Sequence, residues 1–173
     1  MVSTQTLLSE EEFLALPDSA GKQELLDGEL IELPPAKHSH DELARRIAEL
    51  LAAVLGWSRI WIASGYRLAR GRWLTPDVSV SWPDQRIEDD WKQGSPMIAI
   101  EIASRGNTPD ELEKKRLLYL ENGVAEIWII YPKAHSMMVS RADGTVISIG
   151  PAAGYRCELI PVVLTPDYRT PVR

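Results

Sequence analysis

The spacing of apolar residues divides the chain into a few helical stretches and many short strands. The clearest helical pattern runs through Leu43, Ile47, Leu50, Leu51 and Val54 and ends at Gly56. Strands rich in β-branched and aromatic residues are predicted near residues 59–63, 66–69, 72–82, 97–103, 125–131, 136–141 and 145–149. A polar loop is expected over residues 83–96.

Local signals mark where helices start and where strands turn. The S/T-x-x-E pattern of a capping box predicts helix starts at three places: Ser9 with Glu12, Ser39 with Glu42, and Thr108 with Glu111. Asp-Gly pairs, typical of tight hairpin turns, occur at residues 27–28 and 143–144. With no repeat and no linker, the order of elements predicts one α/β (α+β) domain over residues 1–173. We expect a mixed β-sheet flanked by helices, with β-hairpins at both ends.

Composition supports a globular protein. The chain has 173 residues, of which 45% are hydrophobic and 25% charged, so disordered and fibrous classes are excluded. The single cysteine, Cys157, allows no internal disulfide, which fits a reducing cytosol. The first residues lack the pattern of a secretion signal, and no apolar run approaches the roughly 18 residues of a membrane span. We therefore expect a cytoplasmic protein without a membrane partner.

Charge is distributed unevenly along the chain. The net charge is −6, which argues against a nucleic-acid partner when it is taken alone. However, residues 1–33 hold eight acids and one base, whereas residues 34–75 hold seven bases and three acids. A modest basic region is therefore compatible with nucleic-acid binding.

Two strands each place one carboxylate among small side chains. In residues 97–103, Glu101 shares a face with two alanines, and in residues 72–82, Asp77 shares a face with Ser79 and Ser81. If the strands are neighbours, the two carboxylates converge and would repel each other unless a cation intervenes. Mg²⁺ suits such oxygen ligands. The alternative is that each acid pairs with a surface arginine or lysine.

The helix after Glu101 offers a cation. A helix returning along the sheet would direct Lys115 toward the two carboxylates. The alternative is an ordinary i, i+4 pair between Glu111 and Lys115, although Glu111 is also expected in a capping box.

Several spaced motifs resemble a family of bacterial proteins described as putative restriction endonucleases, within the PD-(D/E)XK nuclease superfamily. The resemblance covers roughly residues 5–150 and includes the hairpin at residues 24–33 and His40. The motifs are Thr75-Pro76-Asp77-Val78, Glu101-Ile102-Ala103-Ser104, Glu113-Lys114-Lys115-Arg116-Leu117-Leu118-Tyr119, Gly123-Val124 and Glu126-Ile127-Trp128.

The resemblance implies a restriction endonuclease-like fold and a metal-dependent endonuclease that hydrolyses DNA phosphodiester bonds. Asp77 and Glu101 would hold Mg²⁺ or Mn²⁺, and a lysine would position or activate the attacking water. The superfamily's usual lysine position, two residues after the Glu, is Ala103 here. In this family the lysine is commonly supplied from the following helix, at the place that Lys115 occupies.

The sequence leaves two other functions open. A catalytically inactive nuclease fold that binds nucleic acid or a protein partner is favoured by Ala103. A glycosidase would use Asp77 and Glu101 as acid and base. His40 and Glu42 are expected to serve locally at a helix start, with Glu42 a second choice as a further acid near the metal. The sequence leaves a homodimer open.

Overall fold

The computed structural model describes residues 7–17, 19–104 and 106–165. Its helices are α1 (Glu10–Leu14), α2 (His38–Leu55) and α3 (Pro109–Glu121). Its strands are β1 (Lys22–Leu26), β2 (Glu29–Leu33), β3 (Ile60–Ile62), β4 (Tyr66–Ala69), β5 (Arg72–Leu74), β6 (Val78–Val80), β7 (Ile87–Glu88), β8 (Trp91–Gln93), β9 (Ile98–Ile102), β10 (Glu126–Tyr131), β11 (Ser136–Arg141), β12 (Val146–Ile149), β13 (Tyr155–Arg156) and β14 (Val163–Leu164).

The strands form two six-stranded sheets and one small hairpin. The order in the first sheet is β2-β1-β5-β4-β8-β7, and in the second it is β12-β11-β10-β9-β6-β3. In the second sheet β9 and β10 run parallel, with α3 as the crossover between them, whereas β6 pairs antiparallel with β9. The predicted mixed α+β class is confirmed, with the strands divided between two sheets.

Two apolar layers hold these elements together. One face of the second sheet packs on α2, where Ile47 and Leu51 meet Val78, Val80 and Ile100. Its other face packs against α3 and the first sheet. That layer contains Leu26, Tyr66, Leu68 and Leu74 of the first sheet with Ala99, Ile127 and Ile129 of the second and Leu112, Leu118 and Tyr119 of α3. The central strands of the second sheet, β6, β9 and β10, are therefore buried on both faces.

The strand predicted over residues 72–82 is wrong as one element. The chain forms β5 in the first sheet, leaves it at Thr75, and enters the second sheet as β6. Pro76 has no N–H to give to a strand ladder, so the change of sheet falls where a ladder bond would be lost in any case. Asp77 thus lies at the crossing between the two sheets.

Two further expectations need correction, and two turn signals hold. The loop expected over residues 83–96 contains the hairpin β7–β8, whose turn residues Asp89 and Asp90 have φ values of 48° and 66°. The Asp-Gly turns between β1 and β2 and between β11 and β12 are confirmed. The predicted capping boxes at Ser9 and Thr108 are confirmed. The box at Ser39 is wrong, because α2 begins at His38, after the extended residue Lys37.

None of the helices in the described ranges is both long and apolar enough to span a membrane.

Glu10 fastens α1 to the first sheet. Its carboxylate accepts hydrogen bonds from the Gly71 amide (2.7 Å), the Trp73 indole (3.0 Å) and the Arg67 guanidinium (2.8 Å). Burial by itself raises the pKa of Glu10, but these donors outweigh it and the pKa is lowered. The ionised form is therefore favoured by folding.

Glu10→Gln is expected to lower the free energy of unfolding by about 1–2 kcal/mol at neutral pH. A carboxyl whose pKa is lowered by folding stabilises the protein above its unfolded pKa and loses that effect as pH falls through its folded pKa. The difference between variant and wild type should therefore shrink below about pH 4. Urea unfolding across this range measures it, with Glu11→Gln, on the exposed side of α1, as the control. A difference that stays constant down to low pH would contradict this role.

Candidate active site

Asp77 and Glu101 face each other across two neighbouring strands. β6 and β9 are antiparallel, with Val78 opposite Ile100. Continuing that register by one residue puts Asp77 opposite Glu101, and directly opposed residues share a face of the sheet. The expected pairing of these two strands is confirmed. Both side chains are nearly inaccessible to solvent, at 5% and 3% residue exposure.

Asp77 is surrounded by donors. Its Oδ1 forms an ion pair with Lys22, its Oδ2 accepts a hydrogen bond from the Ile102 amide at 2.7 Å, and His40 Nε2 lies 3.2 Å from Oδ2. Burial alone raises the pKa of Asp77, but the His40 hydrogen bond and the Lys22 charge outweigh it and lower that pKa well below its usual range. Asp77 is therefore an anion in the folded protein.

The carboxylate of Glu101 has fewer hydrogen-bond donors and positive partners than that of Asp77. Tyr119 donates a hydrogen bond to its Oε1 at 3.3 Å, and Lys115 Nζ lies 3.4 Å from its Oε2. Burial raises the pKa of Glu101 to about 7, an effect that the Lys115 charge opposes and the charges of Asp77 and Glu24 reinforce. An added positive charge at this position would favour the ionised form.

Lys115 lies between two buried glutamates. Its Nζ is 2.8 Å from Oε2 of Glu24 and 3.4 Å from Oε2 of Glu101. Burial lowers the pKa of Lys115, but the two carboxylates outweigh it and raise that pKa above its ordinary value. Glu111 instead accepts a hydrogen bond from the Thr108 amide in the capping box. The alternative of a simple Glu111–Lys115 pair therefore does not describe Lys115's surroundings.

The two opposed carboxylates border a cavity of about 620 Å³. The first turn of α2, the end of β2 and the segment after β9 form much of its wall. Its basic lining residues include Lys22, Lys37, His40 and Lys133. A cavity lined by two opposed acids and by several basic groups suits a ligand that carries phosphate and a metal together.

Sequence reasoning missed several residues of this site. The predicted hairpin at residues 24–33 contains Glu24 but not Lys22, and Tyr119 appears only at the end of the motif that begins at Glu113. His40 is expected from the sequence to serve only locally at a helix start, yet α2 starts early enough that its first turn brings His40 to Asp77. The polar pair Lys22 and Glu24, spaced i, i+2 beside two leucines, was the available signal. Glu42 lies elsewhere, in an exposed ion pair with Arg46.

The donor set fits a divalent cation with hard oxygen ligands. Among the described residues no three His, Cys, Asp or Glu side chains form a ligand cluster. Mg²⁺, however, is commonly held by one or two carboxylates and completes its shell with water and substrate phosphate. Asp77 and Glu101 together supply that minimum. The cavity beside them leaves space for the remaining ligands.

The basic segment at residues 34–75 does not form one free positive surface. Several of its arginines have acidic partners on this protein: Arg45 with Glu49, Arg46 with Glu42, Arg67 with Glu10, and Arg72 with Asp27 and Glu121. Lys37, by contrast, borders the cavity. The positive groups best placed for a phosphate are thus those of the cavity wall.

Comparison with solved structures defines the class of fold. The chain is similar to the crystal structure of a putative nuclease belonging to DUF820 from Anabaena variabilis ATCC 29413, with a TM-score of 0.81 and 21% identity. The match covers 93% of this chain and 97% of the other. The fold is therefore a nuclease-like α+β fold.

Residues 10–151 match the family Uma2, described as "Putative restriction endonuclease". That match spans most of the sequence, so the chain belongs to this family. Among curated proteins, none matches the chain.

Proposed function

We propose that the protein is a metal-dependent endonuclease of the PD-(D/E)XK superfamily that hydrolyses phosphodiester bonds of DNA. The observation that carries the proposal is the pair of buried carboxylates, Asp77 and Glu101, which are opposed across β6 and β9 and line the cavity. The family membership and the nuclease-like fold support it.

Asp77 and Glu101 would hold Mg²⁺ or Mn²⁺. When bound, the ion polarises the phosphate and lowers the pKa of a bound water. Neighbouring residues of the chain orient the two carboxylates. The Ile102 amide and His40 hold the Asp77 carboxylate in one orientation, and Tyr119 holds that of Glu101. Restricting both side chains in this way limits the geometry that they offer to the ion and the substrate.

Lys115 acts in this proposal mainly through Glu101. The resemblance implies a water-activating or phosphate-stabilising lysine, and Lys115 supplies the corresponding positive charge from α3 despite Ala103. Its amine lies between Glu24 and Glu101 and is almost completely buried. We therefore assign Lys115 the role of a positioning residue that orients Glu101 and offsets negative charge in the site.

An inactive nuclease fold that binds nucleic acid is the second candidate, and Ala103 is the observation that favours it. The cavity and its basic wall would serve binding without hydrolysis. The same residues then take part in recognition only.

Incubation with supercoiled plasmid in Mg²⁺ or Mn²⁺ is expected to give nicked and linear DNA, and EDTA should stop the reaction. Purified Asp77→Asn, prepared in parallel, controls for a contaminating nuclease. Plasmid that stays intact in both metals while the protein retards it in a gel would favour the inactive fold. Cleavage that persists in EDTA would remove the metal-dependent mechanism.

A further inference from the structure

Two lysines contact the three buried acids of the site: Lys22 contacts Asp77, and Lys115 contacts Glu24 and Glu101. The two lysine side chains differ in their freedom to move. The Lys115 side chain is 4% exposed and is enclosed between Glu24 and Glu101. The Lys22 side chain is 20% exposed and belongs to the cavity wall. A lysine with solvent on one side can rotate its long side chain, whereas one enclosed between two carboxylates cannot without leaving both unpaired.

Lys22 contacts Oδ1 of Asp77, the oxygen atom that a metal ion would need. Its ammonium forms an ion pair with Oδ1 and also donates to the Thr75 carbonyl at 3.1 Å. The other oxygen, Oδ2, is already engaged by the Ile102 amide and by His40. Oδ1 is therefore the oxygen of Asp77 whose donor is a flexible, partly exposed side chain.

We propose that Lys22 is an exchangeable counter-ion: it neutralises Asp77 in the metal-free protein, yields Oδ1 to a divalent cation, and then binds the phosphate of the substrate. The inference rests on the proposed metal role of Asp77 and extends it to a residue of the first sheet. A divalent ion at Asp77 would repel the ammonium group at close range. The bound phosphate would in turn attract it.

The backbone at Lys22 is fixed, so the exchange involves the side chain alone. Lys22 pairs with Leu33 in the β1–β2 ladder. At the preceding position, a Cβ on Gly21 would lie 1.9 Å from the Leu33 carbonyl oxygen, a distance that no side chain tolerates. This close approach keeps the start of β1 against the end of β2. The ammonium group can then pivot from a constant anchor between Asp77 and the cavity.

Asp77 retains donors when Lys22 leaves it. The Ile102 amide and His40 still contact Oδ2. A neutral residue at position 22 should therefore permit folding. It would also remove the ammonium group that competes with the metal ion for Oδ1 of Asp77. The exchange role predicts opposite changes in two affinities, which a purely structural lysine does not.

Lys22→Met is expected to bind Mn²⁺ about tenfold more tightly than wild type in calorimetric titration without DNA, because a competing cation is removed. The same variant, at saturating Mn²⁺, is expected to bind a phosphorothioate DNA oligonucleotide about tenfold more weakly. The slope of log affinity against log salt should fall by about 1. Lys22→Gln repeats the test with a side chain that can still donate to Thr75.

Lys37→Met is the matched control, since it removes a positive charge from the same cavity wall but not one in contact with Asp77. It should leave Mn²⁺ affinity nearly unchanged. Lys22→Arg, which keeps the positive charge, should bind Mn²⁺ as weakly as the wild type does. Equal or weaker Mn²⁺ binding by folded Lys22→Met and Lys22→Gln would overturn the exchange role. Absence of Mn²⁺ binding in wild type and in both of these variants would instead overturn the metal role of Asp77 itself.

Discussion

Replacing Lys115 with methionine is expected to lower the free energy of unfolding by about 3–5 kcal/mol, because it leaves two buried carboxylates without their shared cation. Glu24 and Glu101 both contact this amine, and their side chains are only 0% and 4% exposed. The hydrogen bonds that Glu24 accepts from the Thr75 amide and Glu101 from Tyr119 cannot neutralise a charge. Urea unfolding followed by circular dichroism measures the loss.

Lys114→Met is the matched control for that experiment. Lys114 is the neighbouring residue on α3, but its amine lies in an exposed ion pair with Glu29 at 2.9 Å. Exposed pairs contribute at most about 1 kcal/mol. The double variant Lys115→Met with Glu24→Gln should recover part of the loss, because one unpaired charge is removed as well. Similar stabilities for the Lys114 and Lys115 single variants would contradict the pairing described here.

Asp77→Asn and Glu101→Gln are each expected to abolish Mn²⁺ binding and to lower the cleavage rate by about 10³-fold or more. Each change keeps the shape of the side chain and removes the charge that would hold the ion. Both variants should still fold. Lys115 keeps Glu24 as a partner in Glu101→Gln, and the Ile102 amide can still donate to the remaining carbonyl oxygen of Asn at position 77.

Calorimetric titration with Mn²⁺ and plasmid cleavage at saturating metal together check this prediction. Glu42→Gln serves as the control, since Glu42 is an exposed carboxylate of α2 paired with Arg46 outside the site. It should behave as wild type in both measurements. Undiminished Mn²⁺ affinity in both site variants would remove Asp77 and Glu101 from the metal site.

The parts of the fold that the sequence predicted are those determined by neighbours in the chain. The capping boxes at Ser9 and Thr108 and the Asp-Gly hairpin turn satisfy backbone groups within a few residues, so local patterns suffice to predict them. Strand alternation predicted that Asp77 and Glu101 each lie on a face of small residues, whereas their opposition depends on the pairing of β6 with β9, which alternation does not predict.

The errors and omissions share a non-local cause. Residues 72–82 have the composition of one strand, but the division into β5 and β6 depends on how two sheets pack, which no short window contains. Lys22 contacts a residue 55 positions away, and Glu24 contacts Lys115 from 91 positions away. Such pairs are decided by tertiary packing, and so Lys22, Glu24 and His40 were missed.

The crossing of the chain between the two sheets at residues 75–77 has a consequence for how the site comes apart. Lys22 and Glu24 belong to the first sheet, whereas Asp77 and Glu101 belong to or border the second. The apolar layer under α2 does not include the first sheet. A partial opening that separates the sheets would therefore scatter the charged groups of the site while α2 and the second sheet stay folded. The arrangement of charges in the site thus depends on the docking of the two sheets, and any opening that separates them is expected to abolish it even where α2 and the second sheet stay folded.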